Sequence, residues 1–542
     1  MESVGATIGI WTVLTSAFYA AGCLLAARSL IHWFQLESYQ HPGFFRTIRR
    51  KGIHAWLPGI LMAGAAAFLF WMDGLLHTGI PIWIRSLLLS FFLIAAGYGI
   101  RQIGMRQKEK KKLVYTARIK RLYAISLIIF CMLILILFSI SGSLGINPCI
   151  PASVFALFLP VWVALGGLIA WPVEKGISEM YFRDAQRILR EHGDLIRIGI
   201  TGSWGKTSVK FILGTLLSEK YPTLVTPSSY NTPMGVTKVI RSSLEPGHRI
   251  FVAEMGARHV GDIKEMCRLV SPVMGVLTSV GPQHLDTFHT QERITRTKYE
   301  LMEAIPENGS CFFADDGGIV TELWKKTAKE KYLAGMDASR DDVWAEELVS
   351  TPEGSRFLLC TANGKFPSET ELLGELNIRN IVLCASVCLK LGMTEKEILR
   401  GIRKLKPVEH RLELKRNPGG INVLDDAFNS NIRGARQAFQ VLKDFPGKRI
   451  IVTPGMVELG DLEDELNREF GLAMAGCCDE AVLVGRKRSE ALSYGLKEGG
   501  FSPEKIHVTG SLDEAAELLK NLLSPGDTVL FENDLPDNYS EG

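Results

Sequence analysis

Paired cysteines in a metal or redox spacing are missing from this 542-residue chain. Its ten cysteines are scattered and include no C-x-x-C pair; Cys384 and Cys388 lie one helical turn apart, and Cys477 and Cys478 are adjacent. Reduced thiols are therefore expected, which suits a cytosolic catalytic part. Low-complexity tracts and convincing internal repeats are also missing. Charged residues make up only 22% against 47% hydrophobic, with a net charge of +3 and a mean hydropathy of +0.13. These values exclude a disordered, collagenous or small disulfide-stapled chain. A near-neutral total argues against a dedicated nucleic-acid binder, so no nucleic-acid partner is expected. Acidic residues are scarce in the first third. Residues 1–175 carry sixteen Lys/Arg and five Asp/Glu, which leaves 45 basic and 53 acidic residues for the remainder. A basic, apolar front is joined to an acidic, ordinary globular part, and the length predicts two to four domains.

The front contains apolar runs near 7–27, 55–77, 80–100, 122–142 and 152–171. Each reaches the roughly 20 residues that a helix needs to cross about 30 Å of hydrocarbon. Leu122–Gly142 has no charge at all, whereas Arg28 closes the first run and Asp73 sits late in the second. The first run lacks a positively charged leader, so a cleaved signal is not expected. The loop after the first run holds Arg46, Arg49, Arg50 and Lys51, and that after the third holds nine Lys/Arg from Arg101 to Arg121. The other links hold almost none, with Arg85 the exception. Excess Lys/Arg marks cytoplasmic loops. A multi-pass membrane protein is expected, with its N-terminus outside and everything after Trp171 in the cytoplasm. The basic run Lys108–Lys112 serves this topology, or contacts anionic lipid heads.

Residues 174–193 have an amphipathic helical pattern. Strands are then expected at 195–201, 249–254 and 273–279, with helices at 207–219, 261–269 and 291–304. A second series follows Pro407, with strands near 421–425, 449–453, 481–484 and 528–531 and helices near 432–443, 463–475 and 511–523. Such alternation predicts parallel sheets covered by helices on both faces. The expected division is a membrane domain over 1–175, a linker helix over 176–193, and α/β domains over 194–406 and 407–542.

The strongest local motif is Thr201-Gly202-Ser203-Trp204-Gly205-Lys206-Thr207-Ser208, between a strand and a helix. Glycines let backbone N–H groups turn toward a phosphate, and the helix N-terminus favours negative charge. The lysine adds a point charge, and the following hydroxyl can hold Mg²⁺. Ile200 stands where the usual longer loop has its first glycine.

This shorter G-x-x-G-K-T resembles the nucleotide loop of the Mur ligases, the ATP-dependent amide ligases of peptidoglycan precursor synthesis. Further segments resemble that family in the same order: Tyr230-Asn231-Thr232-Pro233-Met234-Gly235, Ala253-Glu254-Met255-Gly256-Ala257, Val280-Gly281-Pro282-Gln283-His284-Leu285-Asp286, and Thr297-Lys298-Tyr299-Glu300. Leu376-Asn377-Ile378-Arg379-Asn380, His410-Arg411-Leu412, Asp425-Asp426-Ala427-Phe428-Asn429-Ser430-Asn431 and Gly455-Met456-Val457-Glu458-Leu459-Gly460 complete the set. The MurF branch, which adds D-alanyl-D-alanine, is the nearest pattern. The resemblance implies a helical membrane bundle followed by a P-loop Mur ligase central domain and a Rossmann-like C-terminal domain.

It also implies roles. Gly202, Ser203, Gly205, Lys206, Thr207 and Ser208 would bind ATP, Asn377 and Asn380 would seat the base, and Arg411 and Asp426 would reach ribose or phosphates. Asn231, Thr232, Asn429 and Asn431 fall on the substrate side, the last two bracing their loop. Lys298 matches the family's carbamylated lysine. Forming an amide from a carboxylate needs an activated acyl group, and ATP supplies it as an acyl phosphate. Crowded negative groups then need cations. Thr207 and Glu254 offer hard oxygen donors to a first Mg²⁺. His284 and carbamylated Lys298 would serve a second. Lys206, Glu254, His284 and Lys298 are thus the expected catalytic set.

Departures lie at the substrate end. Membrane spans replace the UDP-sugar domain, and N-A-N-P reads Asn429-Ser430-Asn431-Ile432. Asn467 stands where a histidine is common, and a segment over Phe531–Tyr539 replaces K-G-S-R. The expectation is a membrane-anchored carboxylate–amine ligase. It would take a small or lipid-linked acid and an amino-acid or peptide amine, with a polymer exporter or envelope enzymes as possible partners. A poly-γ-glutamate-type synthase and an ATPase powering a membrane process remain alternatives.

Overall fold

A computed structural model describes residues 2–75, 80–105, 112–228, 230–428, 431–486 and 488–534. The chain forms two compact units, Met1–Glu179 and Met180–Leu535. The expected basic run lies outside the described residues except for Lys112, and so do Asn429 and the segment from Leu535 onward.

The first unit is helical. Glu2–Ala26, Ile53–Leu75, Ile82–Met105 and Ala117–Ser143 are long and apolar enough to cross a membrane. In the last of these, Phe130, Ile134 and Phe138 are buried while Ile128, Met132, Ile136 and Ile140 are exposed. Both faces of this helix are therefore apolar. The two charges that interrupt the second and third runs answer each other: Arg85 lies 2.7 Å from Asp73. Arg121 holds Glu174 through two bonds of 2.6 and 2.8 Å, tying Ala117–Ser143 to the helix that leaves this unit.

The fifth apolar run is not one straight helix, as the sequence led us to expect. It breaks at Phe158 into Cys149–Leu157 and Leu159–Glu191, bent by 69°. Pro160 explains the break, since it has no N–H to donate and its ring crowds the carbonyl four residues earlier. The second piece continues without interruption through the expected linker. Its last turns enter the second unit, where Phe182, Ala185 and Leu189 pack with Met266, Cys267 and Val270.

The second unit holds two sheets. The first strands are β1 (Ile196–Thr201), β2 (Thr223–Val225), β3 (Ile250–Glu254), β4 (Met274–Leu277), β5 (Ser310–Ala314), β6 (Glu330–Gly335), β7 (Val343–Thr351), β8 (Gly354–Thr361) and β9 (Gly364–Thr370). They lie in the order β2-β3-β1-β4-β5-β6-β7-β8-β9, parallel up to β7 and antiparallel beyond it. Ile198, Ile200, Val252 and Val276 face one helical layer, including Lys206–Leu217 and Glu375–Lys390. Phe251, Ala253 and Leu277 face the other. Both faces are covered, which is why these strands read as continuous apolar runs.

The second sheet contains β10 (Glu413–Arg416), β11 (Asn422–Asp426), β12 (Arg449–Thr453), β13 (Glu480–Val484), β14 (Ile506–Thr509) and β15 (Thr528–Glu532), in the order β10-β11-β15-β12-β13-β14. Only β10 runs antiparallel among the described strands. The expected Rossmann-like alternation is present, and Phe439 and Phe470 pack edge to face at 5.3 Å in its core. In both sheets the motif residues fall at the carboxyl ends of the strands, where open α/β sheets place their ligands.

Candidate active site

The phosphate loop leaves the end of β1. Gly205 caps the helix Lys206–Leu217 at φ +81°, a left-handed conformation that favours glycine. Ser203 anchors the loop: its hydroxyl donates to Gly281 O and accepts from Gly281 N, both at 3.0 Å, and its own N–H donates to Ser279 O. Gly281 has no room for a side chain, since a Cβ there would lie 2.4 Å from the Trp204 ring. Ser203, expected among the ATP ligands, therefore has its polar atoms engaged within the loop. The Lys206 ammonium donates to Gly202 O at 2.7 Å and Ser203 O at 3.1 Å. Burial pulls its pKa down to about 8, against the opposing pull of Glu254.

Glu254 ends β3 and is 1% exposed. Its Oε1 accepts from Thr207 Oγ1 at 3.2 Å and from Asn231 Nδ2 at 3.0 Å. Its Oε2 lies 3.1 Å from Lys210 Nζ, in an ion pair with both side chains sealed from solvent. Lys210 also donates to Ser228 O. Sequence reasoning missed Lys210, because one turn past Lys206 it reads as a solvated helix lysine. Asn231, expected on the substrate side, here supports Glu254. Thr232 caps the helix Pro233–Ser243, accepting from Gly235 N.

His284 sits at the far side with a left-handed φ of +53° and a hydrogen bond from ring to carboxylate, Nδ1 to Glu458. Burial lowers its pKa, and Glu458 pulls the other way. Glu458 comes from the C-terminal domain. It also meets Arg258 at 3.3 Å, and its backbone carbonyl accepts from Asp286 N. Asn467 holds the Glu458 loop by accepting from Met456 N at 2.8 Å and donating to Met456 O at 3.0 Å. The asparagine at the usual histidine position thus has a structural task. The sequence motif included Glu458, but its partner was visible only after folding.

Lys298, on the helix Gln291–Ala304, is 2% exposed and makes no hydrogen bond or ion pair among the described residues. Burial and the nearby Lys206 charge push its pKa well below the usual lysine value.

The residues expected to hold the nucleotide converge. Gly205, Ser208, Asn377, Asn380, Arg411 and Asp426 line one cleft between the two α/β domains, and Asn431, which the sequence places on the substrate side, lines it too. Arg411 lies 4.2 Å over the Phe428 ring and donates to Phe428 O at 3.0 Å. Asp426 accepts from Leu412 N at 3.0 Å. Burial pushes its pKa up to about 6, and Arg411 restrains the rise. Asn377 donates to Leu373 O, and Asn431 caps the helix Ile432–Lys443 by accepting from Gly434 N at 2.9 Å.

The donors present fit Mg²⁺ beside a nucleotide. Glu254 Oε2 is buried without a hydrogen bond, and the Thr207 hydroxyl lies on Oε1. Both are hard oxygen donors. Among the described residues, no three His, Cys, Asp or Glu side chains form a ready cage. Mg²⁺ commonly takes one or two protein oxygens and completes its shell from phosphates and water.

The raised Asp426 pKa has a stability consequence. The folded protein holds this proton above pH 3.8, so its contribution favours folding at low pH and is lost as pH rises through about 6. Asp426→Asn keeps an acceptor for Leu412 N but removes the buried charge. Its melting temperature should exceed that of the wild type at pH 8, by a margin that shrinks at pH 4.5, while nucleotide affinity falls. Thermal unfolding at the two pH values checks this.

Comparison with known proteins places the two α/β domains in a family. The Mur ligase middle domain matches residues 200–388, and the Mur ligase glutamate ligase domain matches residues 410–532. The UDP-N-acetylmuramoyl-tripeptide–D-alanyl-D-alanine ligase of Mycobacterium tuberculosis is 31% identical over 363 residues, covering 63% of this chain and 70% of that protein. The enzyme of the same name from Escherichia coli is 28% identical over 347 residues, covering 62% and 76%. Among solved structures, MurF from Acinetobacter baumannii superposes with a TM-score of 0.61 at 26% identity, over 67% of this chain and 79% of that one. MurF from Thermotoga maritima in complex with ADP gives 0.60 at 25%, over 67% and 82%. The chain belongs to the Mur ligase family of ATP-dependent, ADP-forming amide ligases.

Proposed function

We propose that this protein is a membrane-anchored ligase of peptidoglycan or related envelope synthesis, joining a carboxylate to an amine through an acyl phosphate at the cytoplasmic face. The observation that carries this reading is one catalytic unit continuous with four or five apolar helices. The unit combines the phosphate loop, the buried Glu254–Thr207 oxygen pair and the Arg411–Asp426 cleft. Those helices lie outside both matched family domains. This supports an acid substrate presented at the membrane, lipid-linked or held beside it, in place of one gripped by a UDP-sugar domain. The amine is an amino acid or short peptide, as in the D-alanyl-D-alanine ligases that the chain resembles. The excess of Lys/Arg in the two longer front loops supports a cytoplasmic catalytic part.

The chain's own groups divide the work. Loop N–H groups and Lys206 hold phosphates, with Ser203 and Trp204 fixing the loop. Thr207 and Glu254 would hold Mg²⁺, which supplies charge neutralisation between the reacting anions. Arg411, Asp426, Asn377 and Asn380 seat the nucleotide as the domains close. His284, oriented by Glu458, and Lys298 complete the pocket on the acyl side, where a second Mg²⁺ would sit.

Lys298 suits carbamylation. A buried amine without partners is cheaper neutral than charged. Its lone pair attacks CO₂, an N–C bond forms, one C=O π pair moves to oxygen, and the displaced proton leaves to water. The product is an anion that can bind a cation where an ammonium would repel it.

Two outcomes test this reading. Full-length protein given ATP, Mg²⁺ and matched acid and amine pairs should release one ADP per new amide. ATP hydrolysis without amide from any muropeptide or amino-acid pair would contradict it. Lys298→Ala should lose activity roughly a hundredfold, the scale of lost metal support, and formate or acetate should restore part of it. A bare amine in a high-resolution map of an ordered site would overturn the carbamate.

A further inference from the structure

A cavity of about 820 Å³ opens on the central domain, away from the nucleotide cleft. Arg197 lines it from the start of β1, whereas the phosphate loop leaves the other end of that strand. Val273, just before β4, and Pro306, shortly before β5, complete that wall. The cavity therefore lies at the amino-terminal edge of the parallel sheet, opposite the catalytic edge.

Its polar lining is mainly cationic. Arg197, Lys264 and Arg268 contribute, with Glu265 the one carboxylate named in its wall. Arg197 is half-buried, its Nε is sealed from solvent, and that atom has no hydrogen-bond partner. Among the described residues it makes no ion pair, and burial alone acts on its pKa, lowering it. The Lys264 ammonium likewise makes no ion pair or hydrogen bond among the described residues. Arg268 stacks at 4.6 Å on Phe182, and its carbonyl accepts from Gln186 at 2.7 Å, so it is fixed to the helix Leu159–Glu191.

A guanidinium Nε–H sealed from water without an acceptor is costly, and a bound acceptor would relieve that cost. A guanidinium fork and an ammonium lining one cavity match the oxygens of a phosphate group. The volume suits a bound small molecule rather than a single ion. We propose that this cavity is a second anion site, which takes a phosphate-bearing group, either a phospholipid head or a free phosphate compound. The site is independent of ATP binding. Its occupant answers Arg197 and bridges β1 to the helix Asp262–Val270.

The test uses the full chain in nanodiscs and reads thermal unfolding, because a ligand of the folded state raises the melting temperature by mass action. Inorganic phosphate should raise the melting temperature of the wild type, and of Lys206→Ala, which weakens the catalytic phosphate loop. Arg197→Leu should start at or above the wild-type value without phosphate, since it removes the sealed Nε–H that lacks an acceptor. Its apparent phosphate affinity should fall at least about tenfold, a step worth 1.4 kcal/mol. Lys264→Ala, at an exposed position, should weaken binding in the same direction. Phosphatidylglycerol discs compared with phosphatidylcholine discs identify the source. A lipid occupant gives a phosphatidylglycerol gain that Arg197→Leu abolishes, and a soluble occupant leaves that gain unchanged while the inorganic-phosphate shift is lost. If both shifts persist undiminished in Arg197→Leu and Lys264→Ala, or the wild type shows neither shift, the site does not exist.

Discussion

The buried carboxylate of Glu254 is the constraint on which the catalytic unit depends. An ionised group sealed from water needs a partner or it gives up its charge. Lys210 supplies that partner from the helix behind the phosphate loop, while Thr207 and Asn231 reach the other oxygen. One residue at the end of β3 thereby ties together the glycine loop, the helix that follows it and the segment entering Pro233–Ser243. These attachments hold both carboxylate oxygens in place beside the Thr207 hydroxyl.

A second tie joins the two α/β domains. Glu458 reaches from the C-terminal domain to His284, Arg258 and the backbone of Asp286. Arg411 and Asp426 face the phosphate loop across the nucleotide cleft. The C-terminal domain therefore contributes both to the lining of this cleft and to the orientation of His284.

Much of this was legible in the sequence, for physical reasons. Strands β1, β3 and β4 are buried on both faces and read as short apolar runs ending in the motif residues. The nucleotide residues were named in order along the chain, and the structure brings Gly205, Asn377, Asn380, Arg411 and Asp426 to one cleft. Lys210 was illegible because only tertiary burial separates it from a surface lysine. Strands β7 to β9 carry alternating polar residues on an antiparallel edge, a weaker signal than the apolar runs. The fifth apolar run looked continuous because hydropathy ignores the missing N–H of Pro160, which ends one helix and begins another.

The central claim is that Lys210 acts through Glu254 to keep in place the carboxylate proposed as a Mg²⁺ ligand. The direct measurement is a double-mutant cycle of Lys210→Met and Glu254→Gln on the affinity for Mg²⁺·ADP, with the full chain in nanodiscs. Removing one partner of a buried pair costs about 3–5 kcal/mol. The account predicts that the double variant is little worse than the more damaging single one, a coupling above about 1 kcal/mol. Losses that simply multiply would contradict it, because Lys210 and Glu254 would then be acting independently.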